Sequence, residues 1–235
     1  RSQRDNKTGF IVPESSNDDL AIKDPDDVKI IFWSGGKDSF LALRALVRLG
    51  NNGRTQAEKA SFGVVLLTTF DATSRIIAHQ EVHISTVIRQ ANALQIPLVG
   101  VPMHRGTSET YVDRVRKGIE LVSSSPYGKN KKLSLVFGDL HLAHTKKWRK
   151  DMLNYDLEYP NWKIPCEQLL ADLDQSGVPC IVSASSNDIV KEGDVFNRQL
   201  YEKAIQNGVD AFGEEGEFHS LAKVWEVDRK MALGL

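Results

Sequence analysis

The chain has 235 residues with 30 basic and 31 acidic side chains, and its formal net charge of -1 gives no electrostatic case for general nucleic-acid or anionic-membrane binding. That length is ample for a large buried core, and no apolar run approaches the roughly 18 to 20 residues of a membrane span. Two cysteines, Cys166 and Cys180, make neither a disulfide framework nor a paired metal-ligand pattern, so a reducing, cytoplasmic compartment is the simplest expectation. The charged N-terminus does not look like a secretory signal, and a first residue of arginine rather than methionine suggests that a short native leader is missing.

Residues 1–26 are polar and charged, with little apolar periodicity beyond Phe10-Ile11-Val12, and read as a flexible or surface-draped arm. The β-branched run Val28 to Phe32 predicts a buried strand. Phe40 to Val47 is good helix-forming material, with Leu43, Leu46, Val47 and Gly50 on one stripe, and Asn51-Asn52-Gly53 ends it. Phe62 to Leu67 predicts a second strand that runs into Thr68-Thr69-Phe70-Asp71. His79 and His83 precede an amphipathic helix marked by Val87, Ile88, Ala91 and Leu94. Without a zincin glutamate or a clear third ligand, they read as surface or nucleotide-side histidines rather than a zinc site. Ile96 to Pro102 predicts a third strand, and Thr107 to Ser123 a helix with Val112, Val115, Ile119 and Val122 inward. Residues 124–132 are loop by composition, Leu133 to Phe137 is a fourth strand, and helical material spans His141 to Leu153. The turn-rich Pro160 to Pro165 is followed by a helix holding Leu169, Leu170 and Leu173 and ended by Gly177. A short strand, Val178 to Val182, and a helix striped by Phe196, Leu200 and Ala204 come next.

Strands that alternate with helices predict a parallel sheet, in which ligands collect beyond the carboxyl ends of the strands. The stretch Ser34-Gly35-Gly36-Lys37-Asp38-Ser39 falls at such an end, between a strand and a helix. Its glycines let the backbone approach a ligand, and unpaired N–H groups at a helix start favour an anion. Lys37 adds a mobile positive charge, and Ser34 and Ser39 add hydroxyl donors. The spacing is not that of a P-loop. Asp71 suits a ribose hydroxyl or an adenine amino group, and equally an ordinary turn. Gly138 and Asp139 follow the fourth strand, where a nucleotide or a magnesium ion would be contacted. Lys146, Lys147, Arg149 and Lys150 would either steer a triphosphate or form a solvated face, with Arg149 the one singled out. Gly213 to Ser220 gathers Glu214, Glu215, Glu217 and His219, a density suited to an amine, a cation or a reacting carboxyl group, with His219 or a glutamate for proton transfer; an acidic surface loop is the alternative.

Ser34 to Ser39 resembles the pyrophosphate loop of ATP pyrophosphatases. With Phe137-Gly138-Asp139-Leu140, Pro160-Asn161-Trp162 and Gly213 to Ser220, in that order, the chain resembles the diphthine-ammonia ligase family and related ATP-binding proteins over about residues 28–226. The resemblance implies an α/β fold with a mainly parallel five-stranded sheet of the adenine nucleotide α-hydrolase type, Rossmann-like, and a smaller C-terminal α+β lobe. The arm would cover residues 1–26, the nucleotide-binding domain 27–155 and the substrate lobe 156–235. It also implies ATP and magnesium, with Ser34, Gly35, Gly36, Lys37, Asp38 and Ser39 holding the β- and γ-phosphates, Asp38 touching the metal, and Thr69, Asp71, Gly138 and Asp139 lining AMP. The family amidates diphthine on elongation factor two with ammonium; Glu214 or Glu217 would hold that ammonium and His219 take its proton.

The chain departs from the family at Pro160-Asn161-Trp162, where many relatives have Pro-Leu-Trp, and in the following Lys163-Ile164-Pro165-Cys166. Acceptor identity is therefore less well indicated than nucleotide chemistry. An ATP pyrophosphatase acting on a small molecule or RNA, and a nucleotide-binding regulatory protein without turnover, are the competing readings. The oligomeric state is open, a homo-oligomer included.

Overall fold

The computed structural model describes residues 9–11, 26–51 and 62–235. Its strands are β1 (Gly9–Ile11), β2 (Asp27–Phe32), β3 (Phe62–Asp71), β4 (Ile76–Ile77), β5 (Val82–His83), β6 (Leu98–Met103), β7 (Lys132–Val136), β8 (Asp156–Glu158), β9 (Cys180–Ser185) and β10 (Phe218–Ala222). Five of them, in the order β6-β3-β2-β7-β8, pair in parallel, and β1 joins the outer edge of β6 in the antiparallel sense. This is a Rossmann-like α/β fold. Both faces of the sheet are covered, which is why β2 and β3 carry near-continuous apolar runs rather than an alternation.

The chain builds outward from β2 through β3 to β6, then returns to place β7 on the other side of β2. A crevice opens at such a reversal, beyond the carboxyl ends of the strands on either side of it. The residues that leave β2 and β7 are Ser34 to Ser39 and Gly138-Asp139, so the order of strands alone brings these two segments side by side.

One face of the sheet lies under α1 (Lys37–Asn51) and α2 (Ile84–Leu94), whose Leu43, Leu46, Val87, Ala91 and Leu94 are buried as the periodicity predicts. The same core continues into α5 (Cys166–Ser176), the β9–β10 pair and α7 (Arg229–Leu233), so the C-terminal lobe packs on this face. The opposite face is covered by α3 (Tyr111–Ser124), with Val112, Val115, Ile119 and Val122 buried. Further helices are α4 (Ala143–Met152), which buries no residue, and α6 (Arg198–Gln206).

Several expectations need correction. Gly9–Ile11 forms β1 rather than part of a flexible arm, because β6 offers a free edge; residues 1–8 and 12–25 lie outside the described residues, as do Asn52 and Gly53. The helix expected from Thr107 starts at Tyr111, where Thr110 and Asp113 form a reciprocal capping box. Asp156–Glu158 pairs with β7 and belongs to the main sheet, so the boundary expected at residue 155 moves beyond 158. Phe196 precedes α6, whose N-cap is Asn197, and therefore belongs to a loop rather than to a helical stripe. No helix among the described residues is long and apolar enough to cross a membrane.

Candidate functional site

The glycine turn leaves β2 through Trp33 and enters α1 at Lys37. Gly35 has φ of 85°, and a Cβ there would lie 2.8 Å from the Gln90 Oε1. At Gly36 a Cβ would lie 2.8 Å from the backbone oxygen of Ser220. Both positions need glycine, the first for its conformation as well as its space. Gln90, wholly buried on α2, fixes the turn from behind: it accepts from Trp33 Nε1 at 2.8 Å and donates to the carbonyls of Gly35 at 2.8 Å and Ala222 at 2.7 Å.

The amides expected to be free for an anion are partly engaged. Gly36 N–H donates to Ser34 Oγ at 3.3 Å, and Lys37 N–H donates to Ser220 Oγ at 3.2 Å. Lys37 is not the mobile charge expected of it. The residue is only 1% exposed, and Nζ donates to Phe212 O at 2.5 Å and to Asp38 Oδ2 at 3.0 Å. The rings of Phe196, Phe212 and Phe218 surround that nitrogen, with centroids 5.3, 5.1 and 5.5 Å away. Ser39 Oγ donates to Gly36 O at 3.0 Å and lies 3.5 Å from Ser34 Oγ.

The segment Gly213 to Ser220 is docked on this turn. Ala222 N–H donates to Gly35 O at 2.9 Å, and Glu214 Oε1 accepts from Leu140 N–H at 2.7 Å, just past Gly138-Asp139. The half from Phe218 onward is strand β10, paired antiparallel with β9, with a bulge between His219 and Ser220. Neither feature is visible in an acidic, glycine-rich stretch. Gly138 has no room for a side chain: a Cβ would meet the Asp38 carbonyl carbon and oxygen at 2.6 Å. Asn161 Nδ2 donates to that same carbonyl oxygen at 3.1 Å, which gives Pro160-Asn161-Trp162 a place at the turn.

Carboxylates converge here. Burial raises the Asp38 pKa above its ordinary value against the lowering effect of Lys37, and its Oδ1 is buried without a hydrogen-bond partner among the described residues. Burial, then the neighbouring Asp38 charge, pushes Glu214 up to about 7. Glu217 holds its own loop, accepting from Asp210 N–H at 3.3 Å, and its Oε2 is buried and unpartnered among the described residues. Glu215 is exposed. His219 is pushed below its ordinary value by burial, then by His79, whose ring centroid lies 5.7 Å away, and by Lys37. Its imidazole is thus biased towards the neutral form that can accept a proton.

The remaining expected residues are divided. Thr69 lies on β3, half-buried, opposite Val101. Asp71 makes a turn: Oδ1 accepts from Thr73 N at 2.9 Å and from Ser74 N at 2.7 Å, while Oδ2 accepts from Arg105, and these bonds hold its pKa at about 2. Arg149 pairs with Asp139, and its guanidinium lies 4.1 Å from the Phe137 ring centroid, so these two expected ligands neutralise one another. Lys146 lies over Trp162, 4.3 Å from the ring centroid.

No family model matches the chain, and no curated protein matches it either. Residues that sequence reasoning passed over include Gln80, which covers Gly36 from the β4–β5 hairpin, and Gln90. Gln90 had a signal: a polar residue on the apolar face of α2, between Val87 and Leu94, needs partners in the core.

Proposed function

We propose that the chain is an ATP-dependent carboxylate-ammonia ligase, most specifically one that adenylates diphthine on elongation factor two and amidates it with ammonium. The observation that carries this reading is the hydrogen bonding of Gly213 to Ala222 onto the glycine turn, through Ser220 with Lys37 and Ala222 with Gly35, and onto the segment after β7, through Glu214 with Leu140. A phosphate-type turn alone fits any nucleotide binder. The acid-histidine strand beside it supplies what an amidation needs in addition.

In the proposed reaction a carboxylate oxygen attacks the α-phosphorus, the bond to the β-phosphate oxygen breaks, and pyrophosphate leaves. Ammonia then attacks the acyl carbon and AMP departs. Ser34, Ser39 and the amide of Gly36 would turn from their internal partners to phosphate oxygens, an exchange of hydrogen bonds rather than a loss of them. Gly138 and Thr69 would bound the nucleoside. Among the described residues no three His, Cys, Asp or Glu side chains are grouped as a metal site. Magnesium nonetheless fits, since it is commonly held by one or two carboxylates together with substrate phosphates, and the unpartnered Asp38 Oδ1 is such an acceptor. When bound it would neutralise charge on the departing pyrophosphate. His219, biased neutral, would take the proton that ammonium must lose, and Glu217, or Glu214 in its ionised form, would favour the cation nearby. Burial raises the Cys180 thiol to about 12, an environment opposed to the thiolate chemistry of sulfur transfer to RNA.

The deciding experiment incubates the protein with ATP, magnesium, ammonium and diphthine-bearing elongation factor two. Mass spectrometry is expected to show the carboxylate converted to its amide, with AMP formed in step. AMP formation with a different acceptor and no amide on the factor would overturn the diphthine assignment. Nucleotide binding without any turnover would overturn the ligase reading.

A further inference from the structure

The three phenylalanines around Lys37 come from separate stretches: Phe196 precedes α6, Phe212 lies in the loop before the acidic segment, and Phe218 opens β10. All are buried, and the Phe196 ring meets the other two, with centroids 5.4 Å from Phe212 and 5.9 Å from Phe218. An apolar core would fill such a space with a hydrocarbon. Here it encloses an ammonium group, beside three rings, bonded to the Phe212 carbonyl and paired with the Asp38 carboxylate. Ring quadrupoles bind ammonium ions whether or not these are attached to a protein.

We propose that the Phe196, Phe212 and Phe218 enclosure is the binding site for free ammonium, filled by the Lys37 ammonium as an internal stand-in and vacated when Lys37 moves to nucleotide phosphate. The inference rests on the ligase reading for its role and names the site of that reaction's nitrogen donor. Phe218 and His219 are successive residues of β10, so their side chains leave the strand on opposite faces. Order of binding follows: nucleotide first, then ammonium.

The test is proton–nitrogen NMR of the full chain with 15N-ammonium chloride, because an ammonium ion sheltered from water gives a slowly exchanging signal. Lys37→Ala is expected to show bound ammonium with contacts to phenylalanine ring protons in the absence of nucleotide. The wild type is expected to show it only with α,β-methylene-ATP and magnesium. Lys37→Met, which fills the enclosure without charge, should show none in either state. Adding Phe196→Leu to Lys37→Ala should weaken ammonium binding roughly tenfold, the loss of one ring face. Absence of a signal in folded Lys37→Ala, or equal binding by Lys37→Met, overturns the proposal. If Lys37→Ala does not fold by circular dichroism, absence of the signal in the nucleotide-bound wild type overturns it. Ammonium-dependent AMP formation without bound 15N-ammonium would reject the enclosure and leave the ligase reading intact. Bound ammonium without ammonium-dependent AMP formation would do the reverse.

Discussion

The hydroxyl of Ser220 accepts the backbone N–H of Lys37 at 3.2 Å, a bond between residues 183 apart in the chain. It joins the first residue of α1 to the middle of β10 and makes the C-terminal strand part of the glycine turn. The helix start is thereby capped from a distant element instead of by its own preceding residue.

Ser220→Ala would leave a buried N–H without its acceptor. A loss of about 1 to 2 kcal/mol in unfolding free energy is expected. Urea denaturation checks it, and a loss within error of zero would mean that another acceptor takes over.

Gln90→Leu roughly keeps the side-chain volume but strips three partners at once: Trp33 Nε1 and the carbonyls of Gly35 and Ala222. The cost should be about 3 kcal/mol or more, since buried groups are orphaned rather than exchanged to water. Trp33 is buried, so its fluorescence should shift when its donor loses its acceptor. An unchanged melting temperature would contradict the bracing role.

Gly138→Ala sets a methyl group against the backbone of Asp38, which cannot rotate away as a side chain can. Overpacking of this kind costs about 1 to 3 kcal/mol. Because the displaced atoms belong to the turn itself, nucleotide affinity, followed by calorimetry with ATP, should fall along with stability.

Glu214 binds its proton more tightly in the folded chain, at about 7 against an ordinary 4.5. Its contribution to stability is therefore complete below 4.5 and is lost as pH rises through about 7. Glu214→Gln cannot ionise and should flatten the dependence of melting temperature on pH across that window. A slope identical to that of the wild type would place the titration elsewhere.

The strands and helices that carry long apolar patterns, β2, β3, β6, β7 and α1 to α3, were legible in the sequence, since burial on a fixed period leaves a regular trace. That Gly138-Asp139 follows a strand was legible too, but its meeting with the glycine turn depends on β7 pairing with β2, which the sequence does not show. What escaped had no such trace. Asp156-Leu157-Glu158 is too short and polar to announce an edge strand, and its Glu158 is offset by Lys29 on β2. β4 and β5 have two residues each. The fate of Lys37 was hidden because it depends on Phe196, Phe212 and Phe218, none of them near it in sequence. Asp71 was evenly divided between turn and ligand, and it is hydrogen bonds two and three residues along the chain that commit its carboxylate to the turn.

The three residues of β1 have a role out of proportion to their number. By pairing Gly9, Phe10 and Ile11 with Gly100, Val99 and Leu98, they occupy backbone groups on β6 that would otherwise line the rim of the sheet. Such a rim is a template on which a second molecule can add its own strand. A shortened chain that begins after Ile11 would leave that rim of β6 open to such pairing.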